Sequence, residues 1–204
     1  MYSIFLIGNI ASGKSSAAAY FERRGARRID LDSVCKNMYV PGSAIVDDLI
    51  EAFGLDILSS DGGINTSKLA ARAFVDSDST NKLNSIVHPF ITQYVAQVLL
   101  PSNCCSTFVH DFPLTVVELS VASEYCDLFP LADEVLAISA PEDVRRDRAI
   151  ARGMSPADAN RRISVQPAER DLIALATTVI VNDGSEAALY EKLDTWLRDR
   201  SIDL

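Results

Sequence analysis

A glycine-rich loop near residue 10 constrains the fold of this chain more than any other feature. The stretch LIGNIASGKSS, from Leu6 to Ser16, follows a short apolar run and precedes an alanine-rich segment. The first has the length and composition of a buried parallel strand, and the second predicts a helix that ends at Gly25. The pattern G-x-x-x-x-G-K-[ST] is completed by Gly8, Gly13, Lys14 and Ser15. A strand, this pattern and a helix in that order predict a phosphate-binding loop, or P-loop.

The chemistry of such a loop comes from its backbone and from two side chains. Backbone N–H groups point at an anion, and the N-terminus of the helix adds a partial positive charge. Lys14 is predicted to reach the β- and γ-phosphates of a nucleoside triphosphate, and the Ser15 hydroxyl to bind Mg²⁺. The predicted nucleotide-binding stretch comprises Gly8, Asn9, Ile10, Ala11, Ser12, Gly13, Lys14, Ser15 and Ser16. The alternative, a turn that only joins a strand to a helix, gives Lys14 no role.

The remainder of the chain alternates between strand-like and helix-like segments. Strands are predicted at residues 3–7, 27–30, 106–112, 133–139 and 177–182, with a helix after the third strand up to Tyr125. In the long stretch from Ser33 to Leu100 the signals are helical, and the last helix there is expected to begin at Pro89. This order predicts an α/β fold of three layers, α/β/α, with a five-stranded parallel sheet.

Composition and charge narrow the class of protein. The chain has 204 residues and a net charge of −9, which argues against a general nucleic-acid surface. No apolar run is long enough for a membrane span, and no secretion signal is recognisable, so a cytoplasmic location is expected. The four cysteines, Cys35, Cys104, Cys105 and Cys126, lack metal-site spacing and are expected to be reduced thiols. The sequence does not predict the oligomeric state.

Carboxylates and arginines supply further candidate site residues. Asp30 and Asp32 stand at the carboxyl end of the second predicted strand, the edge where ligands of open α/β sheets bind, although a solvated helix cap explains an aspartate there equally well. Seven arginines cluster between Arg145 and Arg170. Arg148 and Arg152 are spaced four residues apart, which places both on one helix face and suits a polyphosphate. A solvated helix face is the alternative.

Several motifs occur in the order seen in dephospho-CoA kinases. They are GNIASGKS, IDLD followed by PGS, KLAARAFVD, LNSIVHPFI, FPL, RRDRAIARGMSPADANRRISVQ and VIVNDGS, and the resemblance covers nearly the whole chain. It implies one P-loop kinase domain over residues 1–204, with a helical acceptor-binding insertion at about 33–100 and an arginine-bearing lid at about 145–170. It also implies transfer of the ATP γ-phosphoryl group to the ribose 3′-hydroxyl of dephospho-CoA, the last step of coenzyme A biosynthesis.

The resemblance also assigns roles to residues. Asp32 matches the base that acts on the acceptor hydroxyl, and Lys14 and Arg148 would stabilise the transferring group. Arg152 falls in or beside the lid, and Asn182 to Gly184 match residues near the adenine of ATP. Lys36 and His88 fall in the acceptor-binding part, although His88 is equally well explained as a packing residue. By position alone, at the end of the third predicted strand, His110 is a weaker candidate and is better explained as a core or edge histidine. Asp111 there fits a Mg²⁺ neighbour through water and a cap of the following turn equally well.

Four departures from the family pattern concern mainly the acceptor. Lys36 stands where an arginine is usual, and Thr66 replaces another arginine. Either Glu118 in PLTVVE comes one residue late, or the role of the family's glutamate is absent. An Ala-Asp pair before the last strand is Ala176-Thr177 here. Two alternatives therefore stay open: a kinase for a nucleoside monophosphate or another small metabolite, and an ATP-binding paralogue that transfers no phosphate.

Overall fold

The computed structural model describes residues 1–100 and 112–204, and these form two compact units. The first unit contains residues 1–30 and 112–204 and carries the sheet. The second contains residues 31–100 and is helical. Each unit is described by itself below.

A parallel sheet forms the centre of the first unit. Its strands are β1 (Tyr2–Ile7), β2 (Arg27–Asp30), β3 (Leu114–Glu118), β4 (Glu134–Ser139) and β5 (Thr178–Val181). The order across the sheet is β2-β3-β1-β4-β5, and every pairing is parallel. The predicted α/β fold with a five-stranded parallel sheet is therefore confirmed. Because all carboxyl ends meet at one edge, the loops after β1 and β3 start side by side.

Helices surround this sheet and bury its apolar side chains. They are α1 (Lys14–Arg23), α6 (Glu142–Ala151), α7 (Pro156–Ser164), α8 (Glu169–Ala174) and α9 (Glu186–Asp199). On one face, Ile4 and Leu6 of β1 share a buried cluster with Phe21 of α1 and Trp196 of α9. On the other, the ring of Phe5 lies 5.4 Å from that of Phe129, in a 3-10 helix at Ala122–Leu131. The alternation of strand residues thus fills both faces.

The third strand does not lie where the sequence predicted it. The structure has β3 at Leu114–Glu118, all five residues buried, where a helix was expected. The prediction of a helix at this point was wrong, because LTVVE is a run of apolar and β-branched residues that pairs with both β1 and β2. The predicted strand Ser106–Phe112 lies outside the described residues except for Phe112, which is not part of a strand.

The second unit is built from helices α2 (Leu31–Met38), α3 (Ala44–Phe53), α4 (Thr66–Ala73) and α5 (Ser77–Leu99), with a 3-10 helix at Leu55–Ile57. Helix α5 runs through Pro89, so the prediction of a new helix beginning at that proline was wrong. Its buried stripe, Leu83, Val87, Ile91, Val95 and Leu99, continues on both sides of the proline. Continuous packing of this stripe offsets the hydrogen bond that proline cannot make. No helix in residues 1–100 and 112–204 has the length and apolar character to cross a membrane.

Candidate phosphate-binding site

The loop between β1 and α1 has no room for side chains at its two glycines. Gly13 precedes α1 with φ of 102°, in the left-handed region that favours glycine. A Cβ atom on Gly8 would lie 2.7 Å from the carbonyl oxygen of Ile138. The side-chain amide of Asn182 fills the space beside Gly13 and donates a 2.7 Å hydrogen bond to the Ser12 carbonyl. The loop is therefore held tightly against the neighbouring strands β4 and β5.

Lys14 and Ser15 meet at one buried carboxylate. The Lys14 ammonium lies 3.2 Å from Oε1 of Glu118, and the Ser15 hydroxyl donates to the same oxygen at 2.6 Å. Lys14 also donates to the Ser120 hydroxyl at 3.4 Å. Glu118 is the last residue of β3 and is 4% exposed. Its position follows from the parallel sheet, since β3 neighbours β1 and ends at the edge where the loop begins.

The second oxygen of this carboxylate binds Arg28 of β2. Arg28 donates to Oε2 of Glu118 from Nη2 at 2.7 Å and from Nε at 3.2 Å. Burial raises the pKa of Glu118, but the charge of Lys14 and hydrogen bonds from Ser15, Arg28 and Lys14 outweigh it and lower that pKa below its usual range. Glu118 is therefore an anion at neutral pH, with positive charge on both sides.

A cleft of about 650 Å³ opens beside the loop. Its lining comprises loop residues 8–11 and 13–16, together with Ala19, Arg23, Ser120, Arg152, Arg162, Gln166, Glu186 and Tyr190. The guanidinium-bearing residues Arg152 and Arg162 thus share a cavity with Lys14. Cationic side chains and a glycine-rich loop around one cavity of this size suit a polyphosphate.

The chain segment after α7 is fastened to the loop. The side-chain oxygen of Gln166 accepts a 2.9 Å hydrogen bond from the backbone N–H of Ile10. The Asn9 amide donates to the Pro167 carbonyl at 3.1 Å and to Glu169 at 3.0 Å. Asn9 is 5% exposed, so these bonds are largely shielded from solvent. Movement of the segment at 166–169 is consequently coupled to the position of the loop.

Arg148 and Arg152 have different surroundings. The Arg148 guanidinium donates to the carbonyls of Asn182 at 3.0 Å and Gly184 at 2.8 Å. It therefore holds the turn after β5, the part expected beside the adenine of ATP. Arg152 caps the C-terminus of α6, is exposed and lines the cleft. Of these two arginines only Arg152 lines the cleft, so the binding of one polyphosphate by both guanidinium groups stays a prediction.

Three predicted acceptor residues belong to the helical unit. Asp32 lies in the first turn of α2, two residues after the end of β2, because this helix begins at Leu31 and not at Ser33 as the sequence predicted. Lys36 lies in the last turn of the same helix, and both side chains are exposed. His88 is half-buried within α5, and its Nδ1 lies 3.4 Å from the Thr92 hydroxyl. Their roles toward an acceptor stay predictions.

Sequence reasoning missed part of the site. Arg28 belonged to no motif, Gln166 was given no role although it ends the arginine-rich motif, and Glu118 was noted only for being displaced from the family pattern. A correct third strand would have identified Glu118, because the end of a strand beside a P-loop strand is a position for a carboxylate. His110, Asp111, Cys104 and Cys105 lie outside the described residues.

The oxygen donors at the site fit a hard cation. Ser15 Oγ and Glu118 Oε1 are adjacent, and no group of three or more His, Cys, Asp or Glu side chains suited to a metal occurs in residues 1–100 and 112–204. Mg²⁺ keeps several waters and is usually held by one or two protein oxygens together with substrate phosphates. These residues therefore fit Mg²⁺ bound with a nucleotide better than a metal held by protein alone.

Comparison with known proteins gives a consistent result. A family model described as dephospho-CoA kinase matches residues 2–188. A protein named dephospho-CoA kinase from Corynebacterium efficiens is 36% identical over 197 residues, covering 95% of this chain and 94% of the relative. One of the same name from Mycolicibacterium paratuberculosis is 35% identical over 203 residues. The chain spans about half of that second relative, 48% of its length.

Several solved structures have a similar fold. TT1252 from Thermus thermophilus superposes with a TM-score of 0.75 at 26% identity, covering 97% of both chains. A dephospho-CoA kinase from Campylobacter jejuni gives a TM-score of 0.61 at 19% identity, over 97% of this chain and 96% of the other. A shikimate kinase from Bacteroides thetaiotaomicron gives a TM-score of 0.54 at 12% identity, over 97% of this chain and 98% of the other. The last two likenesses concern the fold alone, which is that of P-loop kinases.

Proposed function

The chain belongs to the dephospho-CoA kinase family, and from that premise we propose how its residues phosphorylate dephospho-CoA at the expense of ATP. The reaction is a phosphotransfer to a hydroxyl group, and we assign it to the ribose 3′-hydroxyl. One observation supports the donor site. Lys14 and Ser15, which contact the same carboxylate oxygen, line a cleft together with Arg152 and Arg162.

The donor half uses the loop and the arginines. Backbone N–H groups of residues 8–16 surround the phosphates, and Lys14 stabilises negative charge on the transferring group. Ser15 would hold Mg²⁺ together with the phosphates, and the ion would neutralise part of their negative charge. Asn182 and Gly184, held by Arg148, would shape the adenine-binding turn. Arg152 would contact the phosphates from the lid side.

The acceptor half uses Asp32 as its central residue. A carboxylate two residues after β2 can orient the acceptor hydroxyl and accept its proton. Lys36 and His88 would bind the acceptor, which carries phosphates of its own. Because phosphoryl transfer needs chiefly positioning and charge stabilisation, Asp32 has to place the oxygen in line with the γ-phosphorus. A cytoplasmic location stays a prediction.

The test measures ADP formation that depends on the acceptor. The purified full chain is assayed with ATP and dephospho-CoA, and the product is identified by mass and by the phosphorus NMR signal of a 3′-phosphomonoester. Coenzyme A is the matched control, because it differs from the acceptor only in having the 3′-position already phosphorylated. We expect ADP formation with dephospho-CoA and none with coenzyme A.

Two outcomes would contradict the proposal. Equal stimulation by nucleoside monophosphates or by other hydroxyl metabolites would favour a different small-molecule kinase. Tight ATP binding without transfer to any acceptor would favour a nucleotide-binding paralogue that has lost the reaction.

A further inference from the structure

The carboxylate of Glu118 competes with ATP for the two side chains that the loop offers to phosphate. Its Oε1 binds the Lys14 ammonium at 3.2 Å and the Ser15 hydroxyl at 2.6 Å. Both groups have to leave this oxygen, at least in part, when they contact phosphates or a phosphate-bound cation. The exchange would leave a buried anion with fewer partners.

We propose that Arg28 is a positioning residue that keeps Glu118 charge-balanced while Lys14 exchanges this carboxylate for the phosphates of ATP. The inference rests on the proposed function, since it assumes that the loop binds ATP. It assigns a task to a residue of β2 that lies outside the loop, the lid and the cleft lining.

The geometry favours this role over a surface ion pair. Arg28 donates twice to Oε2, from Nη2 at 2.7 Å and from Nε at 3.2 Å, and leaves Oε1 to Lys14 and Ser15. The Glu118 side chain is 5% exposed and that of Arg28 25% exposed. Nη1 of Arg28 lies 3.5 Å from Glu22 of α1, which helps to fix the guanidinium from its other side. Two charge-assisted hydrogen bonds from one guanidinium also hold Oε2 in place.

The energetic argument concerns the state after Lys14 has moved. A buried charge that loses its last partner is strongly destabilised, whereas one that keeps a hydrogen-bonded cation is not. With Arg28 in place, Glu118 retains a cation throughout. Without Arg28, Lys14 is the only cation that contacts Glu118 among the described residues. ATP then has to break the Lys14–Glu118 ion pair while no other cation balances Glu118.

The test is the affinity for ATP without metal, measured by calorimetry in EDTA. Arg28→Met removes the charge and keeps most of the stem, and Arg28→Lys restores a charge without the fork. We expect Arg28→Met to raise the dissociation constant for ATP about tenfold or more, in line with the loss of a charge-assisted contact. Arg28→Lys should recover part of that loss. Arg27→Met, one residue away on the opposite face of β2, should leave the constant unchanged.

A double-mutant cycle with Glu118→Gln separates positioning from general stability. In the Glu118→Gln background no anion is left behind, so Arg28→Met should change the dissociation constant by less than about twofold. Unfolding midpoints by circular dichroism are recorded for each variant. A merely structural Arg28 would lower the midpoint and weaken ATP binding equally in both backgrounds.

The outcomes distinguish this inference from the proposed function. If the parent chain binds no ATP, the proposed function fails. If the parent binds ATP and the Arg28→Met variant binds it equally well, only the inference is overturned. The same holds if Arg28→Met lowers the affinity for ATP equally in the parent and Glu118→Gln backgrounds. Should Arg28→Met not fold, the same comparison uses Arg28→Gln, and Arg28→Lys remains as the charge-restoring variant.

Discussion

Asn182 and Gly13 fit against each other across the phosphate-binding loop. The Asn182 amide donates to the Ser12 carbonyl at 2.7 Å and occupies the space that a Cβ atom on residue 13 would need. Gly13 also has φ of 102°, so two independent constraints require glycine there. The turn after β5 is thereby fixed to the loop after β1.

We expect Gly13→Ala to lower the free energy of unfolding by about 2 kcal/mol or more and to abolish ATP binding, because it adds a steric clash to backbone strain. Gly25→Ala is the matched control: φ there is 108°, but nothing lies within 4 Å of the added methyl group. Urea denaturation measures both. An equal decrease of the unfolding free energy in the two variants would mean that the Asn182 side chain moves aside without an energetic cost.

Replacement of Lys14 should separate function from folding. In Lys14→Ala, Glu118 keeps Arg28 and Ser15, so the chain should still fold. The missing charge on the β- and γ-phosphates should lower kcat/KM by orders of magnitude, roughly 10²-fold or more. Steady-state kinetics and circular dichroism provide the measurement. Turnover near that of the parent would remove Lys14 from the donor site.

The choice between Asp32 and Asp30 can be tested with paired asparagine variants. If Asp32 is the base, Asp32→Asn should lower kcat roughly 10²-fold and leave the affinity for ATP nearly unchanged. Asp30→Asn, which alters the last residue of β2, should have the smaller effect. The reverse order of damage would transfer the role to Asp30.

Glu134 should make stability depend on pH in the acidic range. Burial raises its pKa, but hydrogen bonds from Arg200, Thr178, Tyr2 and Trp196 outweigh that effect and lower the pKa from 4.5 to about 2. A carboxyl group whose pKa is lowered by folding stabilises the folded state at pH values above its pKa in the unfolded chain. This contribution, about 3 kcal/mol, is lost as the pH falls from about 5 towards 2.

Comparison with Glu134→Gln isolates this dependence. The difference in unfolding free energy between parent and variant should be largest near neutral pH and should shrink as the pH is lowered towards 2. Glu191→Gln, an exposed position on α9, serves as the control and should follow the parent at every pH. A difference between parent and Glu134→Gln that stays constant with pH would exclude the assigned role.

The departures at Lys36 and Thr66 predict a weakened acceptor site. Thr66 begins α4 and Lys36 lies in the last turn of α2, and both are exposed. Adding guanidinium forks with Lys36→Arg and Thr66→Arg should lower KM for dephospho-CoA about tenfold without changing KM for ATP. Lys68→Arg, also exposed on α4, should change neither. An unaltered KM in the double variant would place the acceptor phosphates elsewhere.

Local signals in the sequence were enough for four of the five strands and for the loop. Strands β1, β2, β4 and β5 and the P-loop each show their character within a few residues, through apolar runs and glycine spacing. Strand β3 was misplaced because LTVVE can be read as part of a helix until its two neighbouring strands are known. The helix start predicted at Pro89 was wrong for a similar reason, since the packing of α5 outweighs the local tendency of proline to interrupt a helix.

The contacts of the site that were missed depend on residues distant in sequence. Gln166 reaches Ile10 only because α6 and α7 return the chain to the loop, and Arg28 reaches Glu118 only because β2 and β3 pair. Neither residue type indicates its partner. Such contacts follow from topology, which local patterns do not contain.

The central place of β1 bears on how the chain acquires its structure during synthesis. Ile4 pairs with Val116 on one side and with Glu134 on the other, more than a hundred residues later in both cases. Closing such long loops is entropically costly, so folding of the sheet should be slow compared with that of a helical bundle. Because β1 precedes both of its partners in the chain, it is synthesised first and stays an unpaired apolar strand until β3 and β4 have been made. During that interval it is exposed to aggregation and is a natural target for chaperones.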